Sequence, residues 1–148
     1  MIQTGYDIRQ GDMTGSRRKA RAIILQALYE IDSSRHNADE VISRLLADKG
    51  LSEENSAFVR QQVTGVIQNQ KQLDEHIKSF APSWPITQLS AIDRNILRLA
   101  IFELLIDNKV PVSITINEAV ELAKKFGSDN SARFINGVLS SVSTLVTG

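Results

Sequence analysis

The sequence holds no cysteine, only three prolines and a single tryptophan in 148 residues. The missing thiols exclude disulfide staples, thiolate nucleophiles and zinc–thiolate sites, and they agree with a reducing compartment. Aromatic residues make up 5% of the chain, so the core must be built from Ile, Leu, Val and Ala. Long apolar runs are missing as well. Charge interrupts them every few residues, whereas a membrane-spanning helix needs about 20 apolar residues in succession. The first residues lack the basic-then-apolar pattern of a secretory signal, and the expected location is cytoplasmic with no membrane partner. Net charge is absent too, since 17 basic residues balance 17 acidic ones. A globally cationic surface is thereby excluded, and any affinity for phosphate must come from a local patch.

What is present is helical spacing. Hydrophobic residues are 42% of the chain, close to the globular norm, and the length suits one domain spanning 1–148. Apolar positions recur at intervals of three and four, with no sustained alternation of period two, which predicts helices and no strand. Residues 1–15 read as a flexible leader. A first helix is expected from Ser16, as N-cap, to about Ser33, with the stripe Ala20, Ile23, Ile24, Ala27, Leu28 and Ile31. Asn37 with Glu40 spells a capping box for a second helix that buries Val41, Ile42, Leu45 and Leu46 and ends at Gly50. Ser52 can cap a third, which continues through Val59, Val63, Val66 and Ile67 and, after a kink near Asn69, through Leu73, Ile77 and Phe80.

Pro82 and Pro85 then break the pattern, because proline lacks the backbone donor and restrains the residue before it. They mark the expected boundary between an N-terminal lobe, 16–81, and a C-terminal lobe, 82–148. Trp84 between them fits a plug at that junction. The helix expected from about Thr87 to Asp107 is apolar over much of its circumference, so it should be central and packed on several sides. Past Pro111, Thr115 with Glu118 suggests another capping box, with the helix starting there or a turn earlier. Ile116, Ala119, Val120, Ala123 and Phe126 would face inward and Glu121 would pair with Lys125 outside. Gly127 should close that helix and Ser128 cap the last one, whose stripe runs from Ala132 and Ile135 through Val142 to Leu145 and Val146. The expected architecture is all-α, with six or seven helices in two packed bundles.

Two places could carry chemistry. The first helix opens Ser16-Arg17-Arg18-Lys19-Ala20-Arg21, with four cations and no carboxylate before Tyr29. Cations at a helix N-terminus oppose the macrodipole, so an external anion would relieve them. Arg18, Arg21, Leu25 and Tyr29 follow steps of three, four and four, which places them on one edge. Guanidinium groups clamp phosphate and tyrosine stacks on an unstacked base. A solvated charged helix end fits the same residues. The second place is Asp129-Asn130-Ser131-Ala132-Arg133-Phe134. Phe134 lies off the main stripe, where it can receive a base or border the core.

Catalysis has little to work with. His36 and His76 stand apart from carboxylates at ligand spacing, and no glycine-rich phosphate loop or nucleophile elbow occurs. Glu103, in the most apolar helix, is read as structural and in need of a partner such as Arg98, Lys109 or a backbone donor. No enzyme activity, metal or cofactor is expected.

Four segments carry a family resemblance. Arg17-Arg18-Lys19-Ala20-Arg21 followed by Leu25-Gln26-Ala27-Leu28-Tyr29-Glu30 resembles the opening helix of NusB proteins. Ile96 to Leu104, Ile116 to Gly127 and Ser131 to Leu139 resemble three later helices, in order. The match runs from about Ser16 to Val142. The resemblance implies a two-bundle all-α fold and an antitermination factor that binds boxA-type single-stranded RNA of ribosomal RNA leaders. It also implies a complex with ribosomal protein S10 (NusE), through which RNA polymerase and other Nus factors are joined, and a protein that is itself a monomer or homodimer. By motif, the RNA-facing residues would be Arg17, Arg18, Lys19, Arg21, Gln26 and Tyr29, with Asn130, Arg133 and Phe134, and Asp93 would contact S10. The basic first helix and the start of the last helix would together grip the strand. The family often carries an acid where this chain has Asn130, and a neutral amide repels phosphate less. A related domain stands at the front of some rRNA cytosine methyltransferases, but no cofactor-binding α/β segment follows within these residues. A helical protein–protein adaptor without RNA contact is the alternative reading.

Overall fold

A computed structural model of the chain describes residues 15–83 and 85–146. The leader and Trp84 lie outside the described residues. Among the described residues all regular structure is helical, as expected. The α-helices are α1 (Ser16–Ser33), α2 (Ala38–Leu46), α3 (Glu53–Gln68), α4 (Gln70–Phe80), α5 (Ala91–Ile101), α6 (Val112–Phe126) and α7 (Ser131–Val142). Two compact units emerge, Met1–Val63 and Thr64–Gly148. Their boundary falls within α3, whereas the sequence reading sets its lobe boundary at 81/82.

In the first unit α1 packs on α2 and buries Ala20, Ile23, Ile24, Leu25, Ala27 and Leu28. The α1 start differs from expectation. Gly15 holds the N-cap position, Ser16 is already helical, and no side chain caps the end. Asn37 does cap α2, accepting from Glu40 N at 3.1 Å. That helix stops at Leu46 rather than Gly50, because Asp48 and Gly50 already take the left-handed backbone (φ 63° and 69°) that ends a helix. Ser52 Oγ accepts from Asn55 N at 3.1 Å at the start of α3.

In the second unit α5 is central and contacts α4, α6 and α7. It buries every residue from Asn95 to Ile101, as its apolar circumference predicts. It starts at Ala91, not Thr87. Thr87 belongs to a 3-10 turn, Ile86–Gln88, and Ser90 Oγ caps α5 by accepting from Asp93 N at 3.0 Å. Beyond Ile101 the helix widens into a π-helical turn, Phe102–Asp107, closed by Asn108 N donating to Glu103 O at 2.9 Å. Phe102 packs where α3 has no side chain. A Cβ on Gly65 would lie 2.2 Å from Phe102 Cζ, so glycine is the residue that lets the ring in.

One buried charge is matched across two helices. Arg98 donates from Nε to Asp74 Oδ1 at 2.7 Å and from Nη2 to Asp74 Oδ2 at 3.0 Å, a bidentate grip that ties α5 to α4. Lys109 meets Asp107 at 3.7 Å. Three further expectations shift. α6 begins at Val112 behind Pro111 and buries Thr115, Glu118, Ala119, Leu122 and Ala123, so its inward face is rotated by one residue. Glu121 pairs with Lys124 at 3.3 Å, while Lys125 lies 5.4 Å from the Phe126 ring. Asn130, not Ser128, precedes α7, and Leu145 sits exposed in a 3-10 turn after it.

Candidate functional site

Each unit presents its own face. On α1 the cation run divides by helical periodicity. Arg18, Lys19 and Gln26 are exposed, and Tyr29 is 44% exposed. Arg18, Gln26 and Tyr29 therefore share the solvent side, eight and three residues apart. Arg21 and Leu25, expected on the same edge, are buried, with Arg21 only 1% exposed. Arg21 lies instead on the side of α1 that meets Phe58 of α3.

The inward cations are held by α3. Arg17 Nε donates to Asn55 Oδ1 at 2.9 Å, and its Nη2 lies 3.9 Å from Glu54 Oε2. The guanidinium carbons of Arg17 and Arg21 stand 3.9 Å and 5.3 Å from the Phe58 ring centre. The ring's negative face attracts both cations. Lys19 Nζ donates to Lys49 O at 2.6 Å, which tethers its stem and leaves the ammonium its other donors. Asn55 and Phe58 were missed by sequence reading. Nothing local marks them, because their partners lie 38 and 41 residues away in the chain.

Farther along α1, Glu30 Oε2 meets His36 Nδ1 at 2.9 Å and its Oε1 accepts from Arg44 Nη2. Hydrogen bonds from Arg44 and then His36 hold the Glu30 carboxyl below its usual value.

In the second unit a cleft of about 340 Å³ forms where the start of α5 meets the start of α7. Leu89 and Phe134 supply apolar wall, and Ser90, Asp93, Asn130 and Ser131 supply polar groups. The structure thus gathers Asp93, expected to contact S10, with Asn130 and Phe134, both expected to face RNA. Arg133 is exposed and Phe134 half-buried. Ser131 Oγ accepts from Ser128 N at 2.9 Å and fixes the turn that presents Asn130. Gly127 makes room for it, since a Cβ there would lie 2.5 Å from Ser131 Oγ. Asp93 has no ionic partner among the described residues, and its Oδ1 is buried without a hydrogen bond. Its neighbour Arg94 turns the other way, donating to Ile86 O and Leu89 O at 3.3 and 3.1 Å. The sequence reading, which starts this helix at Thr87, missed Ser90, although a serine three residues before an acid is a signal of a helix start.

The described residues hold no cluster of three or more His, Cys, Asp or Glu suited to a metal ion. No described helix is long and apolar enough to cross a membrane.

Comparison with known proteins bears on these faces. The NusB family model matches residues 18–144. The chain is 58% identical over 131 residues to a transcription antitermination protein NusB of Dehalococcoides mccartyi, covering 88% of this chain and 92% of that one. The Thermotoga maritima NusB structure superposes with a TM-score of 0.83 at 31% identity, covering 89% and 93% of the two chains. A chain in the crystal structure of a plectonemic RNA supercoil gives a TM-score of 0.80 at 26% identity, covering 86% and 94%.

Proposed function

The chain belongs to the NusB family, and from that premise we propose that it is a transcription antitermination factor that binds boxA-type single-stranded RNA together with ribosomal protein S10. Its work is binding, not turnover, and RNA polymerase and other Nus factors are reached through the complex. The observation that carries this reading is the sorting of α1. One side is anchored to α3 by Arg17 and Arg21, and the other holds Arg18, Lys19, Gln26 and Tyr29 toward solvent.

The roles follow from chemistry. Arg18 and Lys19 meet phosphates, whose attraction supplies most of the affinity and weakens with salt. Tyr29 stacks on an unstacked base, and Gln26 hydrogen-bonds a base edge or sugar. Arg17 and Arg21 position the helix from beneath rather than touch the strand. On the second unit Arg133, Asn130 and Phe134 contribute a cation, an amide and an aromatic wall. Arg18 is exposed near an end of α1 that has no side-chain cap and no acid in its own first turn, a position where a phosphate is welcome. The presence of a similar chain in an RNA-containing crystal supports RNA over a protein-only adaptor.

The test is a titration of labelled boxA-type RNA with the full chain, with and without S10, at low and at physiological salt. Binding that is salt-sensitive and strengthened by S10 is expected. RNA that stays unbound in every condition, while S10 binds, makes the chain a protein adaptor instead.

A further inference from the structure

The turn between α2 and α3, residues 47–50, holds a cation that the roles above leave unused. Lys49 is exposed, and its side chain makes no ion pair or hydrogen bond among the described residues. Its backbone, by contrast, is fixed. Ala47 N donates to Ser43 O at 3.1 Å, Lys49 N donates to Leu46 O at 3.4 Å, and Lys49 O accepts from Lys19 Nζ at 2.6 Å. Asp48 and Gly50, on either side, take the left-handed backbone (φ 63° and 69°), which glycine adopts freely and aspartate tolerates. The placement follows from the helical hairpin. Arg44 of α2 meets Glu30 of α1, so α2 runs back along α1. Lys49, five residues beyond Arg44, then arrives beside Lys19, eleven residues before Glu30.

We propose that Lys49 is a phosphate contact of the RNA face and that Lys19 is the strut that seats it. The proposal rests on the RNA-binding reading and carries its cationic edge from α1 onto the α2–α3 turn. Lys19 commits one of its three ammonium donors to the turn, which leaves two for a ligand. Neither lysine has a carboxylate at ion-pair distance among the described residues. Asp48 is exposed and pairs with neither, and Glu54 at the start of α3 turns to Arg17 at 3.9 Å. Two like charges held on one short stretch of surface repel each other, and an anion between them relieves both. A phosphate oxygen there can accept from the two ammonium groups at once, with charge assistance. Because three hydrogen bonds fix the turn, little backbone order has to be added when the strand arrives. A strand stacked on Tyr29 and followed along Gln26 toward the start of α1 leads to this pair.

The experiment titrates the full chain, as wild type, Lys49→Gln, Lys19→Gln and the double variant, with labelled boxA-type RNA over a series of salt concentrations. Circular dichroism checks that each variant is folded, and both side chains are exposed. Lys49→Gln should lower the salt slope by about one counterion, so that its cost in affinity is about threefold larger at 50 mM than at 200 mM salt. Lys19→Gln should lower the slope by more than one, because it removes its own contact and unseats Lys49. Adding Lys49→Gln to it should then change little. Lys124→Gln, which removes a cation of the other unit paired with Glu121, should leave the slope where it was. An unchanged slope in Lys49→Gln, with wild type still bound, overturns the contact and leaves RNA binding intact. Strictly additive losses from Lys19 and Lys49 overturn the strut, and an equal loss in Lys124→Gln makes the effect one of net charge and overturns both. Wild type that binds no RNA at low salt sinks the RNA reading and this contact with it.

Discussion

The guanidinium carbon of Arg17 lies 3.9 Å from the centre of the Phe58 ring. Arg21 approaches the same ring at 5.3 Å, so one aromatic side chain on α3 gathers two cations from the first turns of α1. A run of positive charge that looks uniform in sequence is therefore two populations. One is folded against α3 and one faces solvent.

Phe58→Leu tests the inward population. The substitution removes the ring face under both guanidiniums and part of a buried side chain. Stability should fall by about 2 kcal/mol, from the lost cation–π contact and the incomplete filling of the site. A thermal melt followed by circular dichroism reads this directly. RNA affinity measured well below the melting temperature should fall less than in a variant of the exposed cation Arg18.

Arg18→Glu and Tyr29→Ala test the outward population. Neither side chain is buried, and surface changes of this kind usually alter stability by less than about 0.5 kcal/mol. The two should nevertheless separate in RNA binding. Arg18→Glu should reduce the salt dependence of binding, lowering the slope by about one or more counterions. Tyr29→Ala should leave the slope alone and lower affinity by about 1–3 kcal/mol, the usual worth of a base stacked on an aromatic ring. Salt slopes that respond to Tyr29 and not to Arg18 would reverse these roles.

Gly65→Ala sets two effects against each other. Alanine favours a helix interior over glycine by about 1 kcal/mol, which alone would stabilise α3. The new Cβ, however, would sit 2.2 Å from Phe102 Cζ, and overpacking of this sort costs about 1–3 kcal/mol. The clash should win and the melting temperature should drop. Adding Phe102→Leu should recover part of the loss, so that the double variant is more stable than the two single effects summed.

Glu30 gives a pH dependence with a definite sign. Its carboxyl is held below the ordinary value of 4.5 by hydrogen bonds from Arg44 and His36. A depressed carboxylate contributes stability that is fully present above 4.5 and is lost as pH falls below it. The group is partly open to solvent, so the contribution is small. Glu30→Gln should melt slightly below wild type at neutral pH, and the two curves should converge in acid. A gap that widens as pH falls would contradict the assigned direction.

Much of this molecule is written locally. The three- and four-residue spacing of Ile, Leu, Val and Ala commits the chain to helices, and Asn37 with Glu40 places one helix start to the residue. The apolar run from Ile96 to Ile101, broken only by Arg98, makes α5 central, because only a helix surrounded by others can bury every side. Each of these depends on neighbours within about one turn, and a sequence displays such neighbours. The π-helical turn at Phe102, the grip of Arg98 on Asp74 and the division of the α1 cations do not. Their partners, Gly65, Asp74, Asn55 and Phe58, lie 24 to 41 residues away. Whether a cation faces solvent or a buried ring depends on which helix lies beneath it. In the same way Asp93 and Phe134 became one cleft only when the starts of α5 and α7 met, since charge and shape at a site are set by what packing brings together.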